Sequence, residues 1–486
     1  MHFEISHASD GNQTVIVPVF AESLGADWPQ SREVLRTASL LPYMGARHAI
    51  TWFYGAHSGQ ADLMLVGLGE VDKFNPAVLR EAAGNAGRAL HKEKRDCAAV
   101  SFEALVAAGV STGGMSAYME AWVEGSLLGT YVFDKYKSTP AQQHAEIKVR
   151  LLGDLTAEGL EAIRLGQLRA ESTMWARDLT NEPPNYLRPR DLAQRTAERF
   201  AGTKATVSVY EGEEIARRGF TGLAAVGKGS IHPPVFIELR YCTDETKPLI
   251  ALIGKGITFD TGGISLKRDN DISDMRMDMA GAAGVLGALD MVVRAEYPAN
   301  LVVLVPSAEN NPSDRSMLPG EVIRYANGLT VQVGNTDSEG RLILADALVY
   351  AHQLGAEKVI DMATLTYSVV GALGTAVAGA FGENELVQAL KAAGEPYGEK
   401  IWQLPIIDEY EGYLSSDYAD TSNISSGNGG GAIMAALFLR KFVHPTLTWA
   451  HLDMNGPKDC SSAKGQLAVG ATGWGTRLLA AYVMSL

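Results

Sequence analysis

Leu249-Ile-Ala-Leu-Ile-Gly-Lys255-Gly-Ile-Thr-Phe-Asp260-Thr-Gly-Gly263 is an apolar run that ends in charged residues and glycines. The apolar residues 249–253 predict a buried strand, because they are continuous and are followed by turn-forming residues. Lys255 and Asp260 come just past the end of that strand, among glycines that we expect to give a loop its unusual backbone angles. In α/β proteins, loops at the ends of strands carry binding and catalytic side chains.

The same alternation of apolar strand and amphipathic helix continues on both sides of this stretch. Further strands are predicted at residues 235–241, 301–305 and 358–362, with helices at residues 280–293 and 342–354. This pattern predicts an α/β fold whose larger, C-terminal part is a mixed, mostly parallel sheet flanked by helices. Sites in such folds form at the carboxyl ends of the strands.

The first part of the chain predicts a second, smaller α/β domain. Apolar runs at residues 14–20 and 63–66 predict strands, and residues 76–95 and 115–131 predict helices. A charged, proline-free stretch follows, and the segment Asn181-Glu-Pro-Pro184 ends it. The expected segments are an N-terminal α/β domain at 1–155, a connecting helix at 156–182 and a catalytic domain at 183–486.

The composition is that of an acidic globular protein. The 486 residues carry a formal net charge of −14, which repels the phosphates of nucleic acids, and no Lys/Arg-rich run offsets it. Three cysteines, odd in number and far apart, argue against a disulfide framework. The sequence has no long uncharged apolar run and no standard export signal. We expect a cytoplasmic protein that binds neither membranes nor nucleic acids.

Acidic residues cluster in two further segments, each of which leads into a predicted helix. The segments are Asp271-Ile-Ser-Asp274-Met-Arg-Met-Asp278 and Asn335-Thr-Asp337-Ser-Glu339-Gly-Arg341. An acidic residue before a helix is usually an N-cap, and a lone lysine is usually a solvated surface charge. That interpretation does not explain why such acids and two lysines, Lys255 and Lys267, occur together at the ends of apolar strands. Buried carboxylates in such numbers need cations beside them.

Several of these motifs together resemble the signature of the leucyl aminopeptidase family, whose members are hexameric two-metal peptidases. The motifs are GKGITFDTGG (254–263), SLK (265–267), the Met-Arg-Met-Asp-Met stretch (275–279) and NTDSEGRL (335–342). Shorter agreements are NEPPN (181–185), SAEN (307–310), ATLT (363–366), WAHLD (449–453) and GATG (470–473). The resemblance spans roughly residues 170–480 and is only loose over the first 150 residues.

Carried over position by position, the resemblance implies two divalent metal ions per subunit. One ion would be bound by Lys255, Asp260, Asp278 and Glu339, and the other by Asp260, Asp337 and Glu339. Four carboxylates supply four negative charges, which balance two divalent cations in a cleft of low dielectric. Carboxylates with one amine suit Mn²⁺ or Mg²⁺, and the resemblance implies Zn²⁺ or Mn²⁺, so Mn²⁺ and Zn²⁺ both stay open.

The resemblance also implies which residues catalyse the reaction. Lys267 would polarise the scissile carbonyl as a charged ammonium, and Arg341 would hold a bicarbonate that acts as general base. Paired metal ions lower the pKa of a bridging water and stabilise a tetrahedral intermediate. A substrate whose free α-amine binds one ion is cut only after its first residue. The implied protein is a metal-dependent aminopeptidase of short peptides, assembled as a homohexamer of two stacked trimers.

The pocket for the substrate's first side chain departs from the family's usual residues. The residues assigned to substrate binding by resemblance are Met275, Thr364, Leu365, Tyr367 and Asn455. Tyr367 stands where the family usually has glycine, Asn455 where it usually has alanine, and Lys458 where an apolar residue lines the pocket. We expect a bulkier and more polar pocket that disfavours leucine; the alternative is that Tyr367 turns outward to a subunit interface and leaves the pocket unchanged. The bulkier pocket would favour small or polar residues, and an acidic one if Lys458 points inward.

Two other functions stay open at this point. Paired metal ions also serve phosphatases, so a phosphoester substrate would need a similar site. Some members of the family bind DNA beside their peptidase activity, and the acidic balance of this chain argues against that role.

Other polar residues receive structural interpretations. His451, in an apolar stretch, is predicted to be a hydrogen-bonded core residue rather than a metal ligand, and Asp361 a structural hydrogen-bonding residue. Asp269, Asp271 and Asp274 lie near the motifs but off the family's ligand positions, and are predicted to be solvated loop charges.

Overall fold

The chain is seen here as a computed structural model that describes residues 1–9, 13–22, 41–55, 61–110, 114–139, 146–268 and 271–486. These residues form two compact units. One contains Met1–Met174 and Cys460–Gly470, and the other contains Trp175–Asp459 and Ala471–Leu486. The division falls inside a long helix, Ala157–Asn181, rather than at its ends. The boundaries 1–155, 156–182 and 183–486 stay predictions about which segments fold on their own.

The first unit is built on a six-stranded sheet. Its strands are β1 (His2–Ser6), β2 (Thr14–Phe20), β3 (Ile50–Phe53), β4 (Leu63–Gly69), β5 (Cys97–Val100) and β6 (Lys148–Leu152). They lie in the order β1-β6-β5-β2-β4-β3, and among these described strands only the pairing of β3 with β4 is antiparallel. Every residue of β2 is buried, as its continuous apolar run predicts. The helices are α1 (Pro76–Lys92), α2 (Glu103–Ala107), α3 (Gly114–Gly129) and α4 (Ala157–Asn181).

Strands and helices alternate along the rest of the chain. The strands that follow α4 are β7 (Thr206–Glu211), β8 (Val235–Cys242), β9 (Ile250–Gly254), β10 (Gly256–Asp260), β11 (Asn300–Asn310), β12 (Val322–Arg324), β13 (Thr330–Gln332), β14 (Lys358–Ala363), β15 (Val377–Gly382), β16 (Lys400–Gln403), β17 (Thr421–Ser422), β18 (Thr448–Asp453), β19 (Asp459–Cys460) and β20 (Gly470–Ala471). The helices are α5 (Pro189–Phe200), α6 (Glu213–Arg217), α7 (Thr221–Gly227), α8 (Ala280–Arg294), α9 (Glu339–Gln353), α10 (Tyr367–Leu373), α11 (Asn384–Gly394), α12 (Gly431–Arg440) and α13 (Thr476–Met484). Short 3-10 helices occur at Pro42–Gly45, Val71–Lys73, Ser273–Met277, Glu395–Tyr397 and Asp408–Leu414.

The large sheet places β9 near its centre. Its strands follow the order β16-β15-β18-β14-β9-β11-β8-β7, and β10 also pairs with β11. Strand β9 runs parallel to β14 and β11, and β14 runs parallel to β18, so the carboxyl ends of these strands meet at one edge. Strands β8 and β15 join antiparallel on either side. The predicted mixed, mostly parallel sheet flanked by helices is confirmed.

The central strand is covered by apolar side chains. Ala251 and Ile253 of β9 belong to one core cluster with Leu344 and Leu348 of α9. Leu252 lies between them and is fully buried; since successive side chains of a strand point to opposite faces, it faces a second apolar layer. Charged side chains near this strand are therefore confined to its ends.

The segment after β9 differs from the loop predicted there. Residues 256–260 form strand β10, which pairs in parallel with the end of β11. Gly254 and Gly256 do not adopt left-handed backbone angles; a Cβ on Gly254 would lie 2.5 Å from Ala282 Cα, and one on Gly256 would lie 2.7 Å from Pro306 O. These two glycines therefore permit close packing rather than unusual angles.

Among the helices of the described residues, none combines the length and the apolar character that a bilayer crossing requires.

Candidate active site

Lys255 is the residue between β9 and β10, and its side chain joins three segments of the chain. Its backbone N–H donates to Met362 O of β14 at 3.1 Å, which fixes it at the end of the central strands. Its buried ammonium lies 2.7 Å from Asp278 Oδ2 and 2.8 Å from Glu339 Oε1, and it donates to Thr364 O at 3.1 Å. Asp278 comes from the segment just before α8, and Glu339 is the first residue of α9.

Lys267 forms a second group of ion pairs, in the loop after β10. Its ammonium lies 2.8 Å from Asp260 Oδ2 and also contacts Asp337 Oδ1. Asp260, the last residue of β10, accepts Gly262 N–H at 2.9 Å and the Asn310 side-chain amide at 2.8 Å. The parallel register of β10 and β11 places Asp260 directly beside Asn310. Strand pairing therefore fixes the position of this carboxylate.

The turn after Asp260 depends on two glycines. Gly262 and Gly263 have φ angles of 89° and 65°, which glycine adopts without strain. A Cβ on Gly262 would also lie 2.9 Å from Asp337 Oδ1, and one on Gly263 would lie 2.7 Å from Asn310 Oδ1. Here the glycines serve both the backbone angle and the close approach of the acidic loop.

Glu339 is the first residue of α9, and the start of this helix packs directly against Lys255. Glu339 is only 1% exposed, and the positive end of the helix dipole stabilises a carboxylate at this place. A Cβ on Gly340 would lie 2.7 Å from Lys255 Nζ. Glycine is therefore required between Glu339 and Arg341 for the helix to approach the lysine.

Asn423 organises the loop before α9, and sequence motifs did not reveal it. Its Oδ1 accepts Gly334 N–H at 2.7 Å, and its Nδ2 donates to Asn335 O at 2.7 Å. Its backbone carbonyl accepts Arg341 Nη1 at 2.8 Å. Asn423 is fully buried, and these contacts fix the position of the acidic loop that leads into α9.

Arg341 lies on the first turn of α9 and is buried. Its Nε has no hydrogen-bond partner among the described residues. Burial lowers the pKa of Arg341 to about 10, while the charges of Glu339 and Asp453 act in the opposite direction. The side chain is thus a buried cation with a donor left to satisfy.

Burial and mutual repulsion weaken the acidity of the clustered carboxyl groups. Burial raises the pKa of Asp278 and of Glu339, against the charge of Lys255. Burial likewise raises the pKa of Asp337 to about 7, and neighbouring carboxylates add to the effect. For Lys255 and Lys267 burial alone would lower the pKa, but the nearby carboxylates outweigh it and raise the pKa of both. The cluster therefore holds cations strongly.

The donor atoms of this cluster fit divalent metal ions. Asp260, Asp337 and Glu339 offer oxygen atoms that all lie within 4.8 Å of one another, so that one ion can contact all three. Asp278 Oδ2, Asp337 Oδ1 and Glu339 Oε1 lie at ion-pair distance from a lysine ammonium, yet none of them accepts an aligned hydrogen bond. Carboxylate oxygens without cysteine or histidine favour hard cations such as Mn²⁺.

A cavity of about 70 Å³ brings the predicted metal ligands and the predicted pocket residues together. The charged cluster contributes part of its lining: Lys255, Asp260, Lys267, Asp278, Asp337 and Glu339. The rest of the lining consists of Asp274, Met275, Thr364, Leu365, Tyr367, Asn455 and Lys458. Arg341 does not line this cavity. The roles of these residues in metal and substrate binding stay predictions.

A buried carboxylate behind the cavity holds residues 364–367. Asp453, the last residue of β18, is fully buried; its Oδ1 accepts Leu365 N–H at 3.2 Å and its Oδ2 accepts the Thr366 hydroxyl at 2.7 Å. Thr366 in turn caps α10 by accepting Val369 N–H at 3.2 Å. Asp453 is the last residue of the WAHLD motif, and its spacing in the sequence does not show what it contacts.

His451 and Asp361 form a buried pair on the adjacent strands β18 and β14. His451 Nδ1 lies 2.5 Å from Asp361 Oδ1, and Asp361 Oδ2 accepts Trp449 Nε1–H at 2.7 Å. Burial would lower the pKa of His451, but Asp361 outweighs it and raises that pKa. These contacts agree with the interpretation of both residues as hydrogen-bonded core residues.

Two further acids near the site, one of which lines the cavity, are exposed. Asp271 and Asp274 are exposed, and Asp274 Oδ1 lies 2.9 Å from Arg276 Nη1. Asp269 lies outside the described residues.

Two family models match the chain. The catalytic-domain model of the cytosol aminopeptidase family matches residues 174–480, and the N-terminal-domain model of that family matches residues 43–140. The chain belongs to the cytosol aminopeptidase family. The resemblance to leucyl aminopeptidases is thereby confirmed, and the second match extends it to the N-terminal part, where the motifs agree only loosely.

Curated relatives and solved structures agree with this assignment. The probable cytosol aminopeptidase of Chlorobium phaeobacteroides is 37% identical over 447 residues, which cover 88% of this chain and 88% of the relative. That of Geobacter sp. (strain M21) is 40% identical over 432 residues, which cover 87% and 85%. The bottromycin maturation enzyme BotP in complex with Mn has a TM-score of 0.85 at 33% identity, covering 98% of this chain and 99% of that one.

Membership in the cytosol aminopeptidase family makes this chain a metal-dependent aminopeptidase. It is a hydrolase that acts on peptides and uses divalent metal ions. The predictions of a metalloaminopeptidase and of divalent metal ions are confirmed at this level.

Proposed function

We propose that this enzyme removes the first residue of short peptides at a site that binds two divalent ions. The observation that carries the proposal is the convergence of four carboxylates and two lysines on one cavity. Two ammonium groups balance only half of four negative charges, and uncompensated charge is costly in a buried site. Two divalent cations would balance all four.

We assign the ligands as the family resemblance places them. One ion is assigned to Lys255, Asp260, Asp278 and Glu339, and the other to Asp260, Asp337 and Glu339. Lys255 must lose its proton to donate a lone pair, so metal binding at this position releases a proton. When bound, such ions supply Lewis acidity for the substrate carbonyl and lower the pKa of a water molecule.

Lys267 is assigned to the oxyanion. Its ammonium has three N–H donors and lies at ion-pair distance from Asp260 and Asp337. We assign one of these donors to the carbonyl oxygen of the scissile peptide bond, on which negative charge develops.

Arg341 is assigned to a bicarbonate that serves as general base. The support within the chain is the buried Nε without a hydrogen-bond partner among the described residues, together with the planar fork that suits a small oxyanion. Because Arg341 does not line the described cavity, this assignment depends more on the family resemblance than the others do.

The metal, the assembly and the location are proposed from the family. We propose Mn²⁺ or Zn²⁺; the oxygen-rich ligand set suits Mn²⁺, and BotP is a relative with bound Mn. We also propose a homohexamer of two stacked trimers in the cytoplasm, acting on short peptides.

Substitution of three site residues tests the proposal. In Asp260→Ala, Glu339→Ala and Lys267→Ala, kcat for an aminoacyl anilide should fall by about 10³-fold or more with saturating Mn²⁺, because bridging ligands and an oxyanion donor are lost. Asp271→Ala removes a nearby exposed acid that does not line the cavity, and it should leave kcat unchanged.

Two measurements separate the competing outcomes. Metal analysis of the wild type should give two ions per subunit, and Asp260→Ala should bind less metal. A phenyl phosphate substrate should not be hydrolysed. Near-normal turnover of any of the three site variants would show that the role assigned to that residue is wrong.

A further inference from the structure

We propose that Lys458 and Tyr367 make this enzyme selective for peptides that begin with a short acidic residue, aspartate first. The inference rests on the proposed function, because it assigns a side-chain preference to the same cavity. It is carried by four residues that line the cavity beside the predicted metal ligands: Met275, Tyr367, Asn455 and Lys458.

Tyr367 and Met275 narrow the cavity. The Tyr367 hydroxyl lies 3.9 Å from Met275 Sδ, although Tyr367 begins α10 and Met275 lies in the 3-10 helix Ser273–Met277. Tyr367 begins α10 directly after the Thr366 cap, so the helix start holds its backbone in place. A ring and a thioether in contact leave little depth for a long side chain, and the whole cavity measures only about 70 Å³.

Lys458 gives the wall a positive charge. Its side chain is 19% exposed, and its Nζ lies 2.9 Å from Asp459 Oδ1. An ammonium has three N–H donors, so the pairing with Asp459 leaves donors for a second carboxylate. A half-buried cation binds a carboxylate more strongly than it would in open water.

Asn455 makes the same wall polar. It is 9% exposed, and its Nδ2 donates to Thr366 O at 3.0 Å, which fixes the orientation of the amide. A leucine side chain placed against an amide and an ammonium would strip water from both without a compensating hydrogen bond. A short carboxylate would satisfy them.

One acid outside the predicted metal ligands also lines the cavity, and it is already ion-paired. Asp274 pairs with Arg276 at 2.9 Å and is mostly exposed, so solvent screens its repulsion of an acidic substrate. Lys458 lines the cavity whereas its partner Asp459 does not, so the charge of Lys458 is the one presented to the first side chain.

The test compares kcat/KM of the metal-loaded enzyme for anilides of Asp, Asn, Ala, Met and Leu. The wild type should prefer Asp over Asn, which has the same size without the charge, and both over Leu. Lys458→Met should lower the Asp/Leu ratio by about tenfold or more, and Lys458→Gln should lower the Asp/Asn ratio. Tyr367→Gly should raise kcat/KM for Leu and Met more than for Asp, because removal of the ring deepens the cavity.

Lys228→Met is the matched control. Lys228 is also an ion-paired lysine, 2.6 Å from Glu321, but it does not line the cavity. Calorimetry adds a readout that does not depend on turnover: free aspartate should bind the wild type more tightly than free leucine, and Lys458→Met should reverse that order.

The outcomes separate this inference from the function on which it rests. If the metal-loaded wild type hydrolyses none of the anilides, the proposed function fails. If it hydrolyses them and prefers Leu, or if both Lys458 variants keep the wild-type Asp/Leu and Asp/Asn ratios, the aminopeptidase assignment stands and the acidic preference is refuted.

Discussion

Replacing Asp346 with asparagine should change how the stability of the catalytic unit depends on pH. Asp346 lies in α9, the helix that begins with Glu339, and its buried Oδ2 accepts Leu223 N–H at 2.7 Å near the start of α7. Burial raises the pKa of Asp346 to about 8, against the backbone amides of Leu223, Gly222 and Thr221, which act in the opposite direction.

The sign and the size of the effect follow from this raised pKa. Folding favours the neutral carboxyl group, so its contribution to the free energy of unfolding is complete below the unfolded pKa and is lost as the pH rises through the folded pKa. A rise from 3.8 to about 8, at about 1.4 kcal/mol per pKa unit, sets an upper limit of roughly 6 kcal/mol for that loss.

The assay is urea-induced unfolding of the wild type and of Asp346→Asn between about pH 5 and about pH 8, at a fixed metal concentration. Asparagine does not ionise, so the free energy of unfolding of the variant minus that of the wild type should increase steadily as the pH rises. Any constant cost of burying the amide shifts the whole difference without changing this slope.

Asp420→Asn is the control. Asp420 accepts hydrogen bonds from the Thr330 hydroxyl and backbone N–H, which lower its pKa. Its contribution is therefore present above its unfolded pKa and is lost only as the pH falls below it, so this difference should stay flat over the same range. A flat or falling difference for Asp346→Asn would refute the reasoning.

Two further predictions concern the loop behind the cavity and the assembly. Asp453→Asn removes one acceptor of the contacts to Leu365 and Thr366; a hydrogen bond to a charged group contributes about 1.5–3 kcal/mol, so kcat/KM should fall by about tenfold or more while circular dichroism stays unchanged. An unchanged kcat/KM would mean that other contacts position this loop. Light scattering should give the mass of a hexamer, and a fully active monomer would contradict the proposed assembly.

The sequence predicted the secondary structure well wherever burial is uniform. Strand β2 has the predicted bounds, and α8 begins at the predicted Ala280. Strand β10 was missed because the glycines at 254 and 256 favour a loop when only the local sequence is considered. In the structure, these positions are glycine because α8 and β11 approach them closely. Such a cause is visible only once the neighbouring chain is in place.

The residues of the candidate site likewise divide into those that the sequence reveals and those that it does not. Lys255, Asp260 and Glu339 are found from sequence because they recur at strand ends among glycines, and the structure gathers them around one cavity. Asn423 and Asp453 could not be found, because both act through hydrogen bonds to backbone groups of distant segments. Backbone partners leave no signature of residue type, so spacing rules cannot identify these two residues.

The order of strands in the large sheet has a consequence for how the enzyme is made. Strand β18 lies next to β14, whose other neighbour is β9, yet it is formed by residues 448–453, far beyond the acidic loops in the sequence; it ends with Asp453, and Asn455 and Lys458 follow it. Chains emerge from the ribosome with the N-terminal part first. A nascent chain therefore carries the acidic loops long before it carries Asn455 and Lys458, which complete the lining of the cavity. The cavity can form only after residues 448–458 have been synthesised, so the acidic loops are made well before their partners in the site.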